Sequence, residues 1–78
     1  MTNMEKYIQA FSEAFEDTAD AVKQYEFKVT PAWDSIGHMT LIAALEDTFD
    51  FELEPAEIRG ITSFEKGIEV LRRKGVDF

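Results

Sequence analysis

The sequence predicts an all-α protein, a small four-helix bundle of three longer helices and one short helix, with a long loop between the first and second helices. Apolar residues recur at helical spacing in three segments, and a fourth, shorter segment lies between a proline and a glycine. The chain has 78 residues, which we interpret as one domain over 1–78, and it contains no cysteine for a disulfide framework. One modest core must therefore hold the fold together.

The first helix is predicted from about residue 3 to 16, because its apolar residues fall at helical spacing and Thr2 with Glu5 has the pattern of a capping box. The periodicity stops between Asp17 and Asp34, and a Thr-Pro step within this segment disfavours helix. We expect a long loop there, and a short helical turn over residues 20–25 fits its pattern. The apolar anchors of the loop would be Val22, Tyr25, Phe27 and Val29.

The second longer helix is predicted from Ser35 to Phe49, and it has two apolar sides. The side that would build the core contains Leu41, Ile42, Leu45 and Phe49. The opposite side mixes apolar and acidic residues, namely Ile36, Met39, Ala43, Glu46, Asp47 and Asp50. Either the loop or another helix covers this second side, or it forms an exposed apolar patch bordered by acids, as docking surfaces often do.

The last third of the chain begins with an extended connector over residues 51–54 and a short helix from Pro55 to Arg59. Thr62 and Glu65 have the spacing of a second capping box, which would open the last helix. Gly67 in the middle of that helix costs about 1 kcal/mol relative to alanine, which close packing could offset. The buried stripe of this helix would be Ile61, Phe64, Ile68 and Leu71.

Charge and composition exclude several classes of function. Sixteen acidic and eight basic residues give a net charge of −8, which repels nucleic acid and favours basic protein partners. A single histidine and no cysteine leave no zinc site, and we expect no metal. No stretch approaches the ~18 apolar residues of a membrane span, and the N-terminus lacks the pattern of a signal peptide. We therefore expect a monomer without membrane insertion and, by default, a cytoplasmic location.

Ser35 stands at the predicted start of the second longer helix. Unpaired N–H groups and the positive end of the helix dipole favour a phosphate at such a position. Taken alone, however, a serine at a helix start is more often only an N-cap. A hydrolase is not expected, because Asp34, Ser35 and His38 lie too close along one helix start to form a catalytic triad.

Asp34-Ser35-Ile36 resembles the Asp-Ser-Leu motif of acyl carrier proteins. Three further segments match that family at corresponding spacing, Leu45-Glu46-Asp47-Thr48-Phe49, Glu54-Pro55 and Ile61-Thr62-Ser63-Phe64. The resemblance covers nearly the whole chain. It implies that a phosphopantetheinyl transferase attaches 4′-phosphopantetheine from coenzyme A covalently to Ser35, beside Asp34.

The resemblance also implies the partners and the cargo site. The arm would carry acyl or aminoacyl groups as thioesters to loading and synthase enzymes with basic docking surfaces, so the chain itself would not be an enzyme. The second side of the helix would meet these partners. Candidate residues for an acyl pocket, which also fit a plain core, are Phe27, Leu45, Ile61, Phe64 and Ile68. Seven phenylalanines leave little predicted room for a long chain.

Departures from the family bear on the pathway, which could serve fatty acid, polyketide, peptide or surface-polysaccharide synthesis. Gly37 and Leu41 stand where a typical fatty-acid carrier has acids, which favours a specialised stand-alone carrier. Trp33 could shield the arm, dock on a partner or anchor the loop. His38 could contact the phosphate, sense pH, or be an ordinary helix residue. The alternative function is an acidic helical interaction module in which Ser35 stays unmodified.

Overall fold

Five helices and no named strand make up the computed structural model, which describes residues 1–78. The helices are α1 Asn3–Phe15, α2 Ala19–Val22, α3 Ser35–Phe49, α4 Pro55–Gly60 and α5 Phe64–Arg73. Three of them, α1, α3 and α5, have seven residues or more, and the predicted all-α class is confirmed. None of the five combines the length and the apolar character needed to cross a bilayer.

The N-terminal cap of α1 follows the predicted capping box. The Thr2 hydroxyl accepts the backbone N–H of Glu5 at 3.1 Å, and the Thr2 N–H donates to the Glu5 carboxylate at 2.8 Å. The helix ends at Phe15 because Glu16 adopts a left-handed conformation with φ of 52°. The prediction of this helix is therefore correct to within one residue.

The loop between α1 and α3 contains one turn of helix, α2, which Thr18 caps by accepting the Ala21 N–H at 3.2 Å. Val22 is buried, while Tyr25 and Phe27 are half-buried. The prediction of Val29 as an anchor is wrong, since its side chain is 72 % exposed. Val29 follows Glu26, whose backbone pairs with Ser63, by three residues, and its side chain does not pack against the core.

The start of α5 differs from the prediction. Ser63, rather than Thr62, caps the helix by accepting the Lys66 N–H at 3.0 Å. The reason lies in the loop, because Phe27 N–H donates to the Thr62 carbonyl at 2.9 Å and so helps to keep this segment extended. An antiparallel bridge pairs Glu26 with Ser63, and the helix begins one residue later than the predicted box would place it.

Gly67 lies where α5 packs directly against α1. A β-carbon at Gly67 would overlap the hydroxyl of Tyr7, which donates to the Phe64 carbonyl at 2.7 Å. Burial raises the pKa of that hydroxyl, so it stays a proton donor. The expected close packing around this glycine is confirmed.

Aromatic side chains fill much of the core between α1, α3 and α5. The ring of Phe11 contacts those of Tyr7, Trp33 and Phe64, with centroids 4.8 to 5.5 Å apart. Fourteen side chains form one buried cluster, Tyr7, Ala10, Phe11, Phe15, Val22, Trp33, Leu41, Ile42, Leu45, Leu53, Ile61, Phe64, Val70 and Leu71. In the predicted stripe of α5, Ile68 is half-buried and Ile61 precedes the helix.

The short helix α4 has a different kind of attachment. Pro55 occupies its first turn as predicted, and the helix extends through Gly60, one residue beyond the predicted end. None of its residues is buried. Lys74 pairs with Glu57 at 3.0 Å and lies 5.7 Å from the ring centroid of Phe51. A hydrogen bond from the Glu54 N–H, and then Lys74, holds the pKa of Glu57 below its usual range.

Candidate functional site

The N-terminus of α3 presents Ser35 to solvent. Asp34 is the N-cap, and its carboxylate accepts the Gly37 N–H at 2.8 Å. Ser35 is the first helical residue, so the interpretation of Ser35 as the N-cap is wrong. Its exposed hydroxyl takes no part in capping. The N–H groups of Ser35 and Ile36 have no acceptor one turn earlier, and free N–H groups at a helix start favour a negatively charged group nearby.

Trp33 fixes the loop that leads into Ser35. Its side chain is completely buried, its backbone N–H donates to the Thr30 carbonyl at 2.9 Å, and its own carbonyl accepts the Lys28 N–H at 2.8 Å. Of the three roles predicted for Trp33, the structure confirms that of loop anchor. Its ring is not available to shield an arm or to dock on a partner.

His38 is a core residue whose role the sequence analysis missed. Only 8 % of it is exposed, and Nδ1 accepts the Trp33 indole N–H at 2.9 Å. Nε2 lies 2.9 Å from the Ile58 carbonyl oxygen of α4. Both ring nitrogens are engaged, so in this arrangement neither is free to contact a phosphate on Ser35. The signal in the sequence was a tryptophan five residues before the only histidine, both next to an apolar helix start.

Gly37 brings the loop close to the first turn of α3. A β-carbon there would overlap the Ala32 carbonyl oxygen and lie 3.2 Å from Cε1 of Phe15. The position where typical fatty-acid carriers have an acid therefore has no room for any side chain. This departure from the family pattern has a packing cause in this chain.

The second side of α3 is exposed along most of its length. Ile36 is 79 % and Met39 55 % exposed, so the interpretation that the loop or another helix covers them is wrong. Ala43, Asp47 and Asp50 are also exposed. We call these five residues the α3 outer face. This surface is apolar at one end, where Ile36 and Met39 lie, and acidic at the other, where Asp47 and Asp50 lie.

Glu46, also predicted to contact partners, has a different position. It is half-buried, and its carboxylate accepts the Leu53 N–H at 2.8 Å. This bond holds the connector between α3 and α4 against the helix. Glu46 therefore has one carboxylate oxygen committed to the fold.

The candidate acyl-pocket residues are not gathered around a cavity. Leu45, Ile61 and Phe64 are buried, and Phe27 and Ile68 are half-buried. Five depressions are present on the protein, and neither Leu45 nor Ile61 lines any of them. Phe64 and Ile68 each border a different one. In this state the five residues serve as core and its margin.

No cluster of three or more histidine or acidic side chains is placed to hold a metal ion.

Comparison with protein-family models, with curated proteins and with solved structures yields no match to this chain.

Proposed function

We propose that this chain is an acyl carrier protein, with 4′-phosphopantetheine attached to Ser35. The observation that carries the proposal is the division of labour at the α3 N-terminus. Asp34 caps the helix, which leaves the Ser35 hydroxyl exposed and uncommitted. A serine needed only for capping would have been found bonded to the first-turn amides.

The residues present fit the chemistry of attachment. Ser35 Oγ would attack a phosphorus of the coenzyme A pyrophosphate, forming one P–O bond while the bond to the leaving 3′,5′-ADP breaks. The transferase would supply Mg²⁺ and take the hydroxyl proton, so no base is needed beside Ser35. The resulting phosphodiester would gain about 0.3–1 kcal/mol from the helix N-terminus. When bound, the arm supplies the thiol that carries acyl or aminoacyl groups.

The α3 outer face supports the choice of partners. Its apolar end lies one and four residues from Ser35, at Ile36 and Met39, so an enzyme that reaches the arm would also cover it. Asp47 and Asp50 would pair with basic residues of the transferase and of loading or synthase enzymes, which at a net charge of −8 are the favoured partners.

We include in this proposal the arrangement of the helices and the choice of pathway. α1, α3, α4 and α5 would be the four helices of the carrier bundle, and α2 an added turn in its long loop. The packing cause of Gly37 weakens the argument from missing acids for a specialised pathway. Leu41 is buried in the core, so the missing acid at this position also has a packing cause. The choice among fatty acid, polyketide, peptide and surface-polysaccharide synthesis therefore depends on the remaining acids of the α3 outer face.

A second candidate is a non-carrier interaction module. The exposed Ile36 and Met39 favour it equally, because a basic partner could bind the α3 outer face whether or not Ser35 is modified. Modification of the serine separates the two functions.

The test is intact-protein mass after incubation with coenzyme A, Mg²⁺ and a broad-specificity phosphopantetheinyl transferase. We expect one phosphopantetheine on the wild type and none on Ser35→Ala. Ser63→Ala is the matched control, since Ser63 also stands at a helix start but acts there as the cap. This control should be modified like the wild type. A folded wild type that gains no mass would refute the carrier proposal and leave the interaction module.

A further inference from the structure

One hydrogen-bonded chain joins three separate parts of the molecule through the only histidine. It runs from Trp33 in the loop, across His38 in α3, to the Ile58 carbonyl in α4, and both of its hydrogen bonds are 2.9 Å long. The rings of Trp33 and His38 are stacked, with an interplanar angle of 21° and centroids 6.0 Å apart. Trp33 itself is completely buried.

The chemistry of the two ends fixes the protonation state of the imidazole. An indole nitrogen can only donate, so Nδ1 of His38 must be an unprotonated acceptor. A carbonyl can only accept, so Nε2 must carry the proton and donate to Ile58. The neutral Nε2–H tautomer is therefore the only form that satisfies both bonds.

We propose that this chain of bonds is a pH-sensitive latch that holds the loop before Ser35, and with it α4, against α3. A proton on Nδ1 would put two N–H groups face to face, because the indole cannot reverse its role. The bond from Trp33 must then break, and a buried indole N–H without an acceptor is unfavourable. Acidification thus opens the loop side of the latch, while the bond to Ile58 can persist.

No charged side chain forms an ion pair with His38. The ring of Phe27 packs on the imidazole with centroids 4.9 Å apart, and none of the three ion pairs includes His38. The charged residues on these elements are Lys28, whose ammonium lies over the Phe27 ring, Asp34 at the start of α3, Glu46 and Asp47 toward the end of α3, and Glu57 and Arg59 on either side of Ile58 in α4. No carboxylate lies within 4 Å to form an ion pair with the imidazolium.

The latch does not depend on modification of Ser35, and its test has its own readout. The chain has one tryptophan and one histidine, so the indole N–H and the imidazole nitrogens each give a single NMR signal. We expect a neutral Nε2–H histidine and a slowly exchanging indole N–H at about pH 8. At about pH 5.5 the indole N–H should be less protected than at about pH 8, when each exchange rate is compared with that of a free indole at the same pH, because a proton on Nδ1 breaks its hydrogen bond.

Urea unfolding of two variants completes the test. His38→Asn keeps an oxygen acceptor near the indole but cannot titrate, and Trp33→Phe removes the opposing N–H. Between the two pH values the folding equilibrium constant of the wild type should fall about three- to fivefold more than that of either variant. An indole N–H of the wild type that is equally protected, relative to free indole, at both pH values would overturn the proposal even if the variants fail to fold. Identical pH profiles for wild type and His38→Asn would overturn it as well.

Discussion

Replacing Gly37 with alanine should destabilise the protein, although glycine to alanine in a helix ordinarily stabilises it. The usual gain is about 0.4–1 kcal/mol, because alanine has less backbone freedom to lose on folding. At Gly37 the added methyl would overlap the Ala32 carbonyl oxygen and press on Phe15, whose Cε1 would be 3.2 Å away. The backbone contact is the harder one to relieve.

Movement of the loop cannot easily relieve this overlap. Trp33 follows Ala32 directly, is completely buried, and is held by backbone bonds to Thr30 and Lys28. Overpacking of a constrained site typically costs about 1–3 kcal/mol. Subtracting the ordinary gain leaves a net loss of up to about 2.5 kcal/mol for Gly37→Ala, with a middle value of about 1.3 kcal/mol.

Urea unfolding followed by far-ultraviolet circular dichroism measures the effect, and Gly60→Ala is the matched control. Gly60 ends α4, and a β-carbon there meets only Cγ2 of Val70 at 3.4 Å, an ordinary van der Waals contact. Gly60→Ala should therefore leave the free energy of unfolding unchanged or raise it slightly, and the slope of that free energy against urea concentration should not change. If Gly37→Ala stabilises the protein as much as Gly60→Ala, the argument from the Ala32 carbonyl is wrong.

Three further predictions follow from single hydrogen bonds. Tyr7→Phe, which removes the buried donor to Phe64, should lower the free energy of unfolding by about 1–2 kcal/mol in urea, and no loss would show that the bond contributes nothing. Asp34→Ala, which removes the cap of α3, should cost about 0.5–2 kcal/mol in the same assay, and Asp34→Asn should retain most of the stability. The hydrogen bond from the Tyr25 hydroxyl, more than that from the backbone, lowers the pKa of Asp17. The stability that this bond contributes is therefore present above the pKa of Asp17 in the unfolded chain, and it is lost as the pH falls through the pKa of Asp17 in the folded protein. In an NMR titration, Tyr25→Phe should raise the pKa of Asp17 toward its ordinary value, and an unmoved titration would contradict this.

The helices could be predicted from the sequence because their signals are local. The bounds of α3 agree with the prediction at both ends, and Thr2 with Glu5 marks the start of α1. The start of α5 could not be predicted in the same way. Thr62 and Ser63 are both good caps, and the choice between them depends on a bridge to Glu26, which is remote in sequence.

The candidate site was only partly predictable for the same reason. Ser35 and the exposed Ile36 and Met39 follow from position and helical periodicity. The burial of Trp33 and the engagement of His38 depend on contacts with α1 and α4, which no local pattern specifies. Residue type alone left both open between a surface role and a core role.

The absence of any buried side chain in α4 has a consequence for how the chain opens in its native state. Segments with little buried apolar area unfold locally at a lower free energy than the global transition. α4 is joined to the remaining helices mainly by the half-buried Ile58, the imidazole bond of His38 and the ammonium of Lys74. In native-state hydrogen exchange its amides should therefore form a separate, less protected unit than those of α1 and α3. The protein would then have a stable part that presents Ser35 and a smaller part that opens and closes beside it.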